Sequence, residues 1–272
     1  MTTSTQSSGS TSPQLEGNWA EVPLVVYDDW GGMALGWWDG DEWVQVGEDT
    51  SLAVAGGETY QVALLGSEAT LEGSSQTNTG CDVVMPEGLP GVQLSDGNAL
   101  YTMVNDGQGG ERSISGVAIS APWNIYPRPA IPGEWHPDLE NLAFQLLGER
   151  GFVTDAVNNV QSIDADLDGD GALETLVVVE ETRLANMASA VYSMIFVVSP
   201  SFDEPLILAA SVIPPNDEGF PESFRVSAVA DLSGDGHMEV VVSGEAWESS
   251  WVTVYELVEE EFVIRIGAGC GV

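Results

Sequence analysis

The phrase ADLDGDGALETLVV, which begins at Ala165, returns as ADLSGDGHMEVVV at Ala230. Each copy crowds acidic side chains between glycines and then runs straight into β-branched residues. Two constraints follow. A chain that repeats a loop and its following strand builds the same supersecondary unit twice. Carboxylates packed this closely repel one another unless a cation neutralises them.

In the first copy the acids stand at Asp166, Asp168, Asp170 and Glu174, and in the second the matching residues are Asp231, Ser233, Asp235 and Glu239. The spacing is alternate. A tightly wound loop with this spacing turns its side chains towards one centre, as a calcium ion with its six to eight oxygen ligands requires. Gly169, Gly171, Gly234 and Gly236 supply the positive-φ backbone that such winding needs. Between the last two acids, Ala172 and His237 are expected to offer main-chain carbonyls, leaving their side chains free to vary. Where the helical twelve-residue calcium loop ends on Glu, this chain has Val177 or Val242, so each site is a strand-loop-strand. Ser233 removes one charge, and the first of two calcium sites is therefore expected to be the stronger. Asp164 is a lesser candidate that would extend the first site or substitute in an alternative register starting two residues earlier. The competing reading is that Asp, Ser and Gly are good turn residues and that two acidic turns arose by duplication.

Each copy is preceded by a lead-in strand and followed by further apolar runs, VYSMIFVVS and PLILAASV in the first, WVTVYELV and FVIRIGA in the second. Each unit thus reads as a four-stranded antiparallel sheet. Asp166, Asp168, Asp170, Gly171 and Glu174, and with one serine Asp231, Ser233, Asp235, Gly236 and Glu239, resemble the D-x-D-x-D-G-x-x-[DE] loop of FG-GAP or VCBS repeats. Those repeats occur in integrin α-subunit propellers and in many bacterial surface proteins. The resemblance covers the C-terminal part of the chain. It implies propeller-blade-like sheets stiffened by calcium, with partners bound elsewhere; two repeats are fewer than a closed propeller uses, so two blade-like sheets packed on each other are expected.

The rest of the chain divides by composition. Residues 1–18 are Ser/Thr-rich and read as a flexible tether. Residues 19–130 read as an N-terminal antiparallel β-domain of short strands, with the Asp-Gly of WDGDEW favouring a hairpin. The segment APWNIYPRPAIPGEWHP is too rich in proline for helix or central strand and marks a boundary. Residues 131–272 then hold the two repeats and one connecting helix. That helix is predicted to start at Pro137, bury Leu139, Leu142, Ala143, Leu146 and Leu147, and stop at Gly148 or Gly151. The class is mainly β.

Charge narrows the partners. The chain carries 43 acidic and 6 basic residues, and all six are Arg. Nucleic acid and anionic lipid are excluded, because both are bound through Lys and Arg on phosphate. No apolar run is long enough to insert in a membrane. Most of the carboxylates read as a solvated surface. Cys81 and Cys270 have no metal-site spacing and are either a long-range disulfide or two free thiols. The chain shows no signal-peptide pattern. A loop of this charge on a hairpin is expected to bind calcium at on the order of 10⁻⁵ to 10⁻³ M, which suits extracellular supply, so an exported or envelope-anchored location is expected.

Two functions remain. The first is a calcium-stabilised extracellular protein that acts by binding a protein or a glycan, with no catalysis. His136 and His237 are the only histidines, and no nucleophile or phosphate-binding motif accompanies them. The second is a carbohydrate-active enzyme, using an acid pair such as Asp28 with Asp29 or Asp39 with Asp41 beside Trp30, Trp37, Trp38 and Trp43. Tryptophans alternating along strands also serve as the core of a small sheet.

Overall fold

The computed structural model describes residues 22–28, 31–45, 59–65, 67–76, 89–94, 116–181, 191–200, 202–214, 217, 219–220, 222–246 and 249–271. The tether, Asp29, Trp30, Cys81 and the apolar runs at 81–85 and 98–104 lie outside them, as do the side chains of Asp28 and Cys270.

The fold is mainly β, with several antiparallel sheets and, among the described residues, no closed barrel. The first sheet holds β1 (Val22–Asp28), β2 (Gly31–Trp38), β3 (Trp43–Gln45), β4 (Thr59–Leu64), β5 (Ser67–Gln76), β6 (Leu89–Leu94) and β7 (Gly116–Ile119), in the order β3-β2-β1-β7-β4-β5-β6. The second holds β8 (Ile131–Pro132), β9 (Asn159–Ala165), β10 (Glu174–Glu181), β11 (Val191–Val198) and β12 (Leu206–Ile213), in the order β12-β11-β10-β9-β8. The third is the meander β13 (Ser223–Ala230), β14 (Glu239–Ala246), β15 (Ser249–Val258) and β16 (Glu261–Gly271). The two repeats are therefore β9–β12 and β13–β16, each a lead-in strand, an acidic loop and three further strands. The two-residue β8 extends the first repeat at its edge.

The sheets stack in layers, and strand alternation shows how. In β14, Val241 joins the core shared with the first sheet, while Val240 and Val242 join the core shared with the second. In β10, Leu176 and Val178 face the third sheet, while Val177 and Val179 meet the helix. Both repeat sheets are thus covered on both faces, which is why their strands read as unbroken apolar runs.

The helix α1 (Pro137–Glu149) begins on Pro137, whose missing N–H would have had no partner in the first turn. It buries Leu139, Ala143, Leu146 and Leu147 against Tyr192, Met194 and Phe196. Gly151 ends it at φ 78°, and Phe152 N donates back to Leu147 O at 3.0 Å. No helix among the described residues is long and apolar enough to cross a membrane.

The proline-rich segment from Ser120 to Trp135 runs between the first sheet and the repeats. Its prolines keep it out of a central strand, so apart from the two-residue edge strand β8 it is held by side chains and isolated amides. Ile125 is fully buried. The Gln61 side-chain amide donates to Ala121 O and Trp123 O, and the Tyr126 hydroxyl donates to Val62 O. On its other side the segment reaches both acidic loops.

Candidate metal centre

Each loop is wound by its own carboxylates. Asp166 Oδ1 accepts from Gly169 N at 2.7 Å, Asp168 Oδ1 from Asp170 N at 3.0 Å, and Asp170 Oδ1 from Ala172 N at 2.6 Å. These are short-range turns of the kind that Asp favours. Gly169 and Gly171 take φ of 80° and 89° within them. The loop closes where Glu174 pairs with Ala165 across the ladder and its Oε2 accepts from Leu167 N at 2.8 Å.

The second loop repeats the design. Asp231 Oδ1 and Oδ2 accept from Gly234 N at 2.6 Å and Gly236 N at 3.1 Å, Asp235 Oδ1 from His237 N at 2.7 Å, and Glu239 Oε2 from Leu232 N at 2.6 Å. Met238 N donates to Leu167 O at 2.8 Å, so the two loops are joined through their backbones.

In the first loop, Asp166, Asp168 and Glu174 each place an oxygen within 4.8 Å of the others. Asp170 is exposed and stands outside that trio, and Ala172 is half-buried. Burial raises the Glu174 carboxyl above its ordinary range, the Leu167 amide and Ser199 hydroxyl oppose this, and the charges of Asp168 and Asp170 add to the rise. Asp164 lies on β9 and accepts the Thr175 hydroxyl at 2.7 Å.

In the second loop Asp231, Ser233 and Glu239 are buried. Burial raises Asp231; the Gly234 amide is the largest opposing influence, the Asp235 charge adds to the rise, and the Gly236 amide and Arg128 charge also oppose it. Burial also drives the Glu239 carboxyl up to about 8, against the Leu232 amide and the Ser233 hydroxyl. One difference between the copies lies at a single oxygen. Glu174 Oε1 accepts the Ser199 hydroxyl at 2.8 Å, whereas Glu239 Oε1 is enclosed without a hydrogen-bond partner among the described residues. Asp235 and His237 are exposed, and their side chains gather with Glu256 of β15 within 4.8 Å.

The proline-rich segment clasps both loops with flat side chains. Arg128 Nε donates to Asp166 O at 2.8 Å and lies 3.3 Å from Asp166 Oδ2. A Cβ on Gly169 would stand 3.2 Å from its Nη1. Trp123 does the same for the second loop: its Nε1 donates to Asp231 O at 3.0 Å, and a Cβ on Gly234 would stand 2.8 Å from its ring.

Sequence reasoning missed Arg128, Trp123, Ser199 and Glu256. The first two lie outside the repeat, so aligning the copies could not find them. A signal existed for Arg128, one of only six cations in the chain.

At the other candidate site, Asp39 is spent on its own turn. Its Oδ1 accepts from Asp41 N at 2.9 Å and Glu42 N at 2.8 Å, and the Glu42 and Asp41 amides hold its carboxyl below the usual range. Trp43 packs into the core between the first and third sheets, with its ring 5.4 Å from Trp38 at 60°. Trp37 is half-buried. His136 precedes the helix, exposed, without capping it.

Comparison with family models, with curated proteins and with solved structures finds no match to this chain.

Proposed function

We propose that this protein is a calcium-stabilised β-protein that acts by binding, its two acidic loops being structural cation sites. The observation that carries the reading is Glu239 Oε1, an enclosed carboxyl oxygen with no hydrogen-bond partner among the described residues. A buried polar atom without a partner is costly, and a cation is the partner this surrounding suits. The donors beside it are hydroxyl and carboxylate oxygens, which suit a hard divalent ion better than a thiolate-seeking one. Asp166, Asp168 and Glu174 would hold the ion in the first loop, and Asp231, Ser233 and Glu239 in the second, with Asp170, Asp235 and the carbonyls of Ala172 and His237 as further donors. The ion supplies charge neutralisation. The chain's own residues wind the loops and shield them between the sheets and the clasp.

The test is isothermal titration of the chelator-treated chain with calcium and with magnesium, on wild type, Asp168→Ala and Glu239→Gln. Two calcium ions in the wild type and one in each variant are expected; no heat at millimolar calcium rejects the reading. The FG-GAP-like pattern and an exported location fit it, since sites of moderate affinity fill where calcium is plentiful. A protein or glycan partner would then bind away from the loops. The carbohydrate-active alternative gains nothing at Asp39, whose carboxylate is committed to backbone amides.

A further inference from the structure

The two clasps are alike in geometry and differ in charge. Each sets a planar N–H donor on the main-chain carbonyl of its loop's first aspartate, Asp166 or Asp231, and each covers the glycine three residues on. Trp123 brings no charge. Arg128 brings a full one, held against Asp166 and partly screened from solvent, with its side chain 24% exposed. The guanidinium also approaches Leu167 O at 3.4 Å, the carbonyl that already accepts from Met238 N. It is therefore pinned at several points and cannot swing away at no cost.

Resting on the calcium reading of these loops, we infer that Arg128 is a built-in counter-cation of the first loop. It weakens metal binding there, so the second loop, clasped by a neutral indole, fills first. The reasoning is electrostatic. A fixed positive charge beside Asp166 already relieves the repulsion that a metal would otherwise relieve, and it repels an arriving divalent ion. The charge of Arg128 reaches Asp231 of the second loop as well, but its hydrogen bond and ion pair are made to Asp166 of the first. In the second loop Ser233 lowers the charge, and Glu239 keeps an oxygen with no hydrogen-bond partner among the described residues for a metal to meet. Counting carboxylates alone ranks the first loop higher; counting Arg128 removes that advantage. The arginine is a positioning residue, acting through Asp166.

The experiment is calcium titration calorimetry on the full chain in two backgrounds, Asp235→Ala to isolate the first loop and Asp168→Ala to isolate the second. The first-loop site is expected to be the weaker of the two; the reverse order overturns the inference. Arg128→Gln, which keeps an N–H donor for Asp166 O but drops the charge, is expected to tighten the first-loop site about tenfold, and Arg128→Lys to leave it near its starting affinity. A merely structural clasp gives the opposite sign, weaker binding in Arg128→Gln, and that result or no change rejects the counter-cation role while leaving the calcium reading intact. Trp123→Arg in the Asp168→Ala background is the reciprocal check and is expected to weaken the second-loop site. Absence of calcium binding in the wild type overturns both the inference and the reading beneath it.

Discussion

Arg225 of β13 lays both terminal guanidinium nitrogens on Glu180 of β10, joining the two repeat sheets by an ion pair at their margin. Nη2 lies 2.9 Å from Oε1, and Nη1 meets Oε2, which also accepts the hydroxyls of Ser223 and Ser193. The Glu180 side chain is 9% exposed. Removing the cation takes its bidentate charged partner from a shielded carboxylate. Arg225→Met is therefore expected to destabilise the fold by about 3 kcal/mol in denaturant titration, while Glu180→Gln with Arg225→Met recovers part of the loss. A loss below about 0.5 kcal/mol, the level of an exposed pair, would show that the junction does not need it.

Stability without metal should fall as pH rises. The Glu239 carboxyl moves from an ordinary 4.5 to about 8 on folding, chiefly through burial. Below the lower value both states hold the proton and the group costs nothing. Between the two the unfolded chain has released a proton that the folded chain retains, so the folded state loses ground until the upper value is passed. The size is on the order of a few kcal/mol, at about 1.4 kcal/mol per pH unit of displacement. Chemical denaturation in chelator at pH 5 and pH 8 measures it, and Glu239→Gln should flatten most of the slope. An unchanged slope in that variant would assign the pH dependence to other carboxylates.

Much of this architecture was legible because the repeats carry two signals at once. The Gly-broken acids mark the loops, and the apolar runs mark strands covered on both faces, as β10 and β14 prove to be. Pro137 and Gly151 bounded the helix for reasons local to the backbone. Arg128 and Trp123 were not legible as site residues. Their role depends on a proline-rich segment crossing both loops, and non-local approach leaves no trace in periodicity. His237 shows the same limit: its neighbour Glu256 arrives only because β15 runs beside β14.

Calcium should stabilise the chain more than magnesium does. Magnesium demands tighter octahedral geometry and parts with its waters reluctantly, whereas a loop wound from several short turns offers oxygens at uneven spacing. At a free calcium concentration about a hundredfold above the dissociation constant, one site adds roughly 2.7 kcal/mol. Thermal unfolding in chelator, in calcium and in magnesium compares them directly. Equal shifts with both ions would mean that the loops respond to divalent charge alone.

The final expectation separates two glycines of the second loop that share a backbone conformation but not an environment. Gly234 and Gly236 have φ of 79° and 92°, so alanine at either position is strained, by roughly 1–2 kcal/mol. A Cβ at Gly236 meets open space. At Gly234 it would stand 2.8 Å from Trp123 Cδ2 and 2.9 Å from Cε2, too close to remain. The indole would have to move, and it is anchored by its Nε1 bond to Asp231 O. Gly236→Ala is thus expected to show the conformational cost alone, while Gly234→Ala adds the displaced ring and its lost hydrogen bond, for a total of about 3 kcal/mol. Urea unfolding of both variants in chelator checks the difference, with the near-ultraviolet signal of tryptophan changing only in Gly234→Ala. Equal losses in the two, with that signal unaltered, would mean that Trp123 yields without cost and does not hold the loop.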